Sequence, residues 1–231
     1  MNKKPIVVSK IGADHGFQGV NRQDYGAMFL NDRGHVVKFS LDGCSSGSYS
    51  EVGVLLFAQA IAKRKDVTPE TFKDVVFEEM RRLTGSLGFS DMELFNNFCF
   101  TILAVIETDE DFHVFSCGDG FIFAETKDHE LRVIDIDVNY ENYPPYFVYN
   151  LMNPDNLSAY KQGVEFDVRR YSKEYYENIG VGSDGYRYTQ GLNNAEKALF
   201  DEALLGGKPG RIGQIINRNA QVFRDDITIV F

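Results

Sequence analysis

The chain has 231 residues, 43% of them hydrophobic and 25% charged, with a formal net charge of -10. That length and apolar fraction suit one domain with a sizeable core. The acidic excess, with no Lys/Arg block to reverse it locally, argues against nucleic-acid and membrane partners and leaves any anionic substrate in need of bound cations.

The opening MNKKPIVVSK has no secretory h-region. Gly26–Leu30 and Val36–Leu41 read as strands around the polar turn at 31–34. Ser48, with Glu51 three residues later, has the spacing of a capping box, and Val52–Ala62 is apolar on most sides, which predicts a buried helix. A second helix is predicted from Thr68-Pro69, with Phe72, Val75, Val76, Met80 and Leu83 at helical spacing.

Phe98–Glu107, Phe112–Cys117, Phe121–Glu125 and Leu131–Asp137 are apolar or alternating runs separated by short turns, the pattern of an antiparallel meander. The longest of the apolar runs, around Phe98 to Ile106, is too short to span a bilayer. Val164–Arg170 and Asn178–Gly182 read as strands, the regions near Ala195–Leu205 and Arg211–Phe223 as helices, and Ile227–Phe231 as a last strand. Strand runs and helix runs are segregated. The fold class is therefore α+β, with two antiparallel sheets sandwiched between helices in four α-β-β-α layers. Cys44, Cys99 and Cys117 are widely spaced without a C-x-x-C pair, and read as small buried residues of a cytoplasmic protein.

Three motifs fail on inspection. Gly43-Cys-Ser-Ser-Gly47 matches G-x-S-x-G, but none of the four histidines lies beyond His129 and the later strands are not parallel. Gly180-Val-Gly-Ser-Asp-Gly185 matches G-x-G-x-x-G, yet Asp184 would repel a pyrophosphate. Asp135, Asp137 and Asn139 start like a calcium loop, but Tyr140 and Tyr146 stand where Gly and Glu are needed.

A recurrence is stronger. Asp42-Gly43, Asp119-Gly120 and Asp184-Gly185 each end an extended apolar segment, Asp225-Asp226 opens the last strand, and Asp24 precedes the strand at Gly26. Asp-Gly is also a common hairpin turn, and for Asp119-Gly120 the two readings are evenly matched. Asp42 and Asp184 have no partner strand at hairpin distance. Carboxylates gathered at strand ends repel one another unless cations lie between them, and hard oxygen ligands suit Mg²⁺ or Mn²⁺.

Arg22-Gln-Asp24, Asp42-Gly43 with Gly47, Thr101, Gly118-Asp119-Gly120, Ser183-Asp184-Gly185 and Asp225-Asp-Ile-Thr228 resemble, in this order, the signature blocks of the metal-dependent protein phosphatases, the PPM or type 2C serine/threonine family. The second block and Tyr143-Pro-Pro-Tyr146 are most similar to its bacterial branch. The resemblance spans nearly the whole chain, so residues 1–231 are expected to form one phosphatase-like domain.

It implies hydrolysis of phosphoserine or phosphothreonine on proteins by a hydroxide bridging two Mn²⁺ or Mg²⁺ ions about 4 Å apart, with a third ion in some members. Asp42 would bridge the two metals and the Gly43 carbonyl would touch one. Asp184 and Asp225 would complete the first site, Asp119 with Asp184 would form the third, and Asp24 would order water.

Departures from the family pattern concern substrate handling. Gln23 replaces a common Glu, Gly19 stands where many members carry a phosphate-binding Arg, and Cys44 replaces a common His. Arg22 is the candidate substitute for the missing Arg. The rival reading is a weak or inactive module that binds a phosphorylated partner. Between Tyr140 and Tyr176 the chain is rich in tyrosine, which reads first as a cover over apolar surface and second as a reader of protein substrate.

Overall fold

A computed structural model describes residues 4–136 and 144–231. The end of the Leu131–Asp137 run, the core of the calcium-like loop, Tyr140 and Tyr143 lie outside the described residues. One five-stranded sheet runs in the order β1 (Val7–Lys10), β10 (Ile227–Val230), β9 (Tyr176–Gly182), β6 (Gly120–Thr126), β7 (Leu131–Ile136). The other runs β2 (Tyr25–Leu30), β3 (Val36–Gly43), β4 (Phe100–Glu107), β5 (Asp111–Cys117), β8 (Asp167–Ser172). The pairings in both are antiparallel.

Period-2 alternation sorts the side chains between layers. On β3, Val37, Phe39 and Leu41 enter a core shared with α2 (Ser50–Lys63), α3 (Phe72–Leu87) and α4 (Asp91–Phe98). On β4, Ile102, Ala104 and Ile106 do the same, while Leu103 and Val105 turn the other way to meet Ile122, Ala124, Ile179 and Val181 of the facing sheet. The outer face of that second sheet packs Phe121, Phe123, Ile227 and Ile229 against α5 (Asn194–Leu205) and α6 (Pro209–Arg218). Helices, sheet, sheet, helices: the four layers match the order expected from sequence.

Several local expectations give way. The four-strand meander is two hairpins in different sheets, because β5 pairs with β4 and β8 while β6 pairs with β7 and β9. Gly118-Asp119-Gly120 is therefore a crossover between sheets, not a hairpin turn. Both glycines have φ in the left-handed region, 99° and 141°, and a Cβ at either would lie within 2.6 Å of Thr101 Cγ2 or the Gly182 carbonyl oxygen.

The Ser48/Glu51 box does not form. α2 starts at Ser50, whose hydroxyl donates to the Cys44 carbonyl (3.0 Å), and Glu51 accepts from Asn21. The box that does form caps α4, where Ser90 and Glu93 exchange hydrogen bonds, a helix absent from the sequence reading. The helix expected from Thr68 begins at Phe72, after a turn held by the Thr68 and Thr71 hydroxyls. β1 and the short helix α1 (Ala13–Gln18) were also not anticipated. Tyr146 and Tyr149 are buried in the core beneath α2–α4, and Tyr149 stacks on Tyr160 at 5.6 Å.

Lys38, on the inner face of β3 and 3% exposed, ties the two sheets together. Its ammonium donates to Asn178 Oδ1 and to the Ile179 carbonyl (2.7 Å) of β9, with Glu107 3.8 Å away. Burial pushes its pKa down to about 8. Removing the donor strands buried acceptors in the sheet interface, which costs roughly 1–3 kcal/mol. Lys38→Ala is expected to lower the urea midpoint accordingly; an unchanged midpoint would show that this link contributes nothing.

Candidate metal centre

Antiparallel pairing decides where the acids go. Tyr25 pairs with Leu41, so one step further along the ladder Asp24 faces Asp42. Phe121 pairs with Gly182, so continuing that register sets Asp119 opposite Asp184. Asp225 enters beside them because β10 runs antiparallel to β9, placing the start of one at the end of the other. Acids far apart in sequence thus reach one edge of the sandwich through register alone.

Asp42, Gly43, Asp119, Asp184 and Asp225 line a single cleft of about 270 Å³, with Cys44, Ser45, Ser46, Thr101, Pro144 and Tyr146 completing the wall. Thr101 is the cross-strand partner of Asp42. Gly43 has no room for a side chain, since a Cβ there would lie 2.8 Å from Ser50 Oγ and 2.9 Å from the Gln23 carbonyl oxygen.

Asp24 lies beneath the cleft, 2% exposed. Asp42 faces it across the strand ladder, and Asp184 and Asp226 add their charges nearby. Burial, and then the negative charges of Asp226 and Asp184, push Asp24 up to about 8. Burial and the charges of Asp24, Asp184, Asp225 and Asp119 hold Asp42 well above the usual carboxylate range. Asp184 is pushed up to about 6 by burial and by Asp119 and Asp225, with Arg187 pulling the other way.

Arg22 does not join the cleft. Its guanidinium donates to the Asp24 carbonyl (2.9 Å) and the Ser9 carbonyl (3.3 Å), and it lines a separate groove with Val52 and Leu55. Gly19 ends α1 in the left-handed conformation with open space around it.

Two residues given no site role in the sequence reading belong to this neighbourhood. Asp226, 2% exposed, accepts from the Gly12 amide (2.7 Å) and the Gln23 amide (2.6 Å), joining segments more than 200 positions apart. His15 lies 3.0 Å from Asp226 and 3.8 Å from Asp225. Among the described residues, only His15, Asp225 and Asp226 each bring a ligand atom within 4.8 Å of the others. Nothing in the local sequence of His15 signals this, because α1 reaches the loop before β10 only through tertiary contact.

The donor set fits hard divalent cations. The acids of the cleft offer oxygen alone, and Asp24 Oδ2, Gln23 Oε1 and Thr101 Oγ1 are buried without a hydrogen-bond partner. Carboxylates that retain protons because they are buried and crowd one another are groups that a cation can discharge.

The sequence profile described as protein phosphatase 2C matches residues 11–205. No curated protein matches the chain. Among solved structures, a bacterial serine phosphatase superposes with a TM-score of 0.67 at 12% identity, covering 99% of this chain and 96% of its own. The serine/threonine phosphatase of S. agalactiae gives 0.65 at 18% identity, with 99% and 98% covered. The catalytic domain of the serine/threonine protein phosphatase PstP, in complex with two manganese ions, gives 0.61 at 15% identity, with 98% and 96% covered. The profile match takes in most of the chain and the fold agrees with it throughout: the chain belongs to the protein phosphatase 2C family.

Proposed function

We propose that this protein is a cytoplasmic metal-dependent phosphatase that hydrolyses phosphoserine or phosphothreonine on protein substrates. The observation that carries the reading is the convergence of Asp42, Asp119, Asp184 and Asp225 on one cleft. Asp42, the Gly43 carbonyl, Asp184 and Asp225 would hold two Mn²⁺ or Mg²⁺ ions, with Asp119 and Asp184 available to a third. Bound there, such ions would acidify a water between them and offset the negative charge of the phosphoryl group.

The protein's own groups have distinct jobs. Asp42 stands between both halves of the site, facing Asp24 across the ladder to β2 and lining one cleft with Asp184. Asp24 is buried too deeply to meet substrate and acts by orienting Asp42 and by holding a proton that metal loading releases. The cleft wall after Gly43 is Cys44, with Tyr146 beside it. Burial raises the pKa of the Tyr146 hydroxyl, so it stays protonated at the wall of the cleft.

The rival, a binding module for a phosphorylated partner, draws on Arg22 facing away from the cleft. An assay separates them. With Mn²⁺ the protein is expected to cleave an aryl phosphate and a phosphothreonine peptide, to stop with chelator, and to lose turnover below detection in Asp42→Asn and Asp184→Asn. Mn²⁺ binding without turnover on either substrate would favour the binding module. Activity that survives chelator but not Ser45→Ala would overturn both in favour of an esterase.

The raised carboxyls also set a pH dependence. A carboxyl whose pKa lies higher in the folded than in the unfolded chain binds protons in the fold that the unfolded chain has already released. Stability of the metal-free protein therefore falls as pH rises from about 4, the unfolded value, through about 6 for Asp184 and about 8 for Asp24. Cations displace those protons. The metal-free melting temperature is expected to fall between pH 5 and pH 8, and Mn²⁺ to raise it more at pH 8 than at pH 5. A Mn²⁺-induced rise independent of pH would show that metal and protons do not compete for these acids.

A further inference from the structure

We infer that α1 is a clamp on the loop that carries Asp225, and that His15 is the residue through which the clamp positions this carboxylate. The inference rests on Asp225 being a metal ligand.

Backbone contacts fix the helix to the loop. The Ala13 amide donates to the Phe223 carbonyl (2.9 Å) and the Asp14 amide to the Arg224 carbonyl (3.0 Å). The Gly12 amide donates to Asp226, and Arg224 closes the seam through Asp14 at 3.1 Å. The approach leaves no space at Gly12, where a Cβ would lie 2.3 Å from the Asp225 carbonyl carbon. The entry to α1 is therefore pressed against the backbone of Asp225 itself.

The side chain of Asp225 is 44% accessible. One oxygen accepts from the Asp226 amide (2.8 Å). The same oxygen faces His15 Nε2 at 3.8 Å, while Nδ1 of the ring lies 3.0 Å from Asp226, close but without the alignment of a hydrogen bond. The imidazole, 12% exposed, thus stands between a carboxylate anchored through both oxygens and one held by a single backbone hydrogen bond. Asp226 is fixed, since its two oxygens already accept from the Gly12 and Gln23 amides. Those bonds occupy it as an anchor and argue against His15, Asp225 and Asp226 acting as a further cation site. What remains for His15 is to limit where Asp225 points, and so to pre-form one side of the cleft.

Partners that orient a ligand typically change metal affinity about 10–100-fold when removed. Titration of the full-length chain with MnCl₂, followed calorimetrically, tests this alongside the melting temperature of the metal-free protein. His15→Phe keeps a ring of similar size and removes the nitrogens; His15→Gln restores a polar group near the Nε2 position. The expected result is a tenfold or greater loss of Mn²⁺ affinity in His15→Phe, substantial recovery in His15→Gln, and an unchanged metal-free melting temperature in both. Wild-type affinity in His15→Phe, or equal losses in both variants with a lowered melting temperature, would overturn the clamp. A wild-type chain that fails to bind Mn²⁺ would overturn the metal-centre reading, and this inference with it.

Discussion

Mutual repulsion among carboxylates is the constraint around which this molecule is built. Strand register forces Asp24 against Asp42 and Asp119 against Asp184, and β10 adds Asp225 from the side. In water each acid would be ionised near pH 4. In the cleft, burial and neighbouring charge keep Asp24, Asp42 and Asp184 protonated to higher pH. A fold seeking only stability gains nothing from such an arrangement. It makes sense as a site whose protons stand in for cations.

Holding repelling groups together takes a rigid frame. The frame consists of two sheets packed through Leu103, Val105, Ile122, Ala124, Ile179 and Val181, with helices sealing both outer faces. The crossover at Gly118-Asp119-Gly120 is a tight joint, and it moves the chain from one sheet to the other while presenting Asp119 to the cleft. Side chains at those glycines would strike Thr101 or the end of β9, so the local backbone and the site geometry are one requirement. At the N-terminal side Asp226 does similar work with hydrogen bonds, binding the amides of Gly12 and Gln23.

Much of this was legible in the residues. The apolar strand runs, the helical spacing in α3 and the segregation of strand runs from helix runs pointed to the layer order, because burial leaves a trace in the sequence. The recurring acids at strand ends pointed to a common site before any fold was known. What escaped was tertiary. The strands on either side of Asp119 look like a hairpin in sequence, and only sheet packing separates β5 from β6. Ser48 and Ser90 both stand three residues before Glu, yet only Ser90 caps a helix, since Ser50 and Glu51 are drawn to other partners. Arg22 looked like a phosphate ligand by proximity to Asp24, but its guanidinium is taken by backbone carbonyls. His15 carried no local signal at all.

The departures from the family pattern now have a location. Cys44 and Tyr146 form one wall of the cleft, and Gly19 leaves open space where many family members carry an arginine. Substrate phosphate would therefore be held chiefly by cations in the cleft, which suits a chain with net charge -10. Anomalous diffraction from crystals grown with Mn²⁺ tests that central claim most directly. The account predicts two peaks within the cleft, in contact with Asp42, Asp184 and Asp225. A cleft without peaks while manganese appears elsewhere would contradict it.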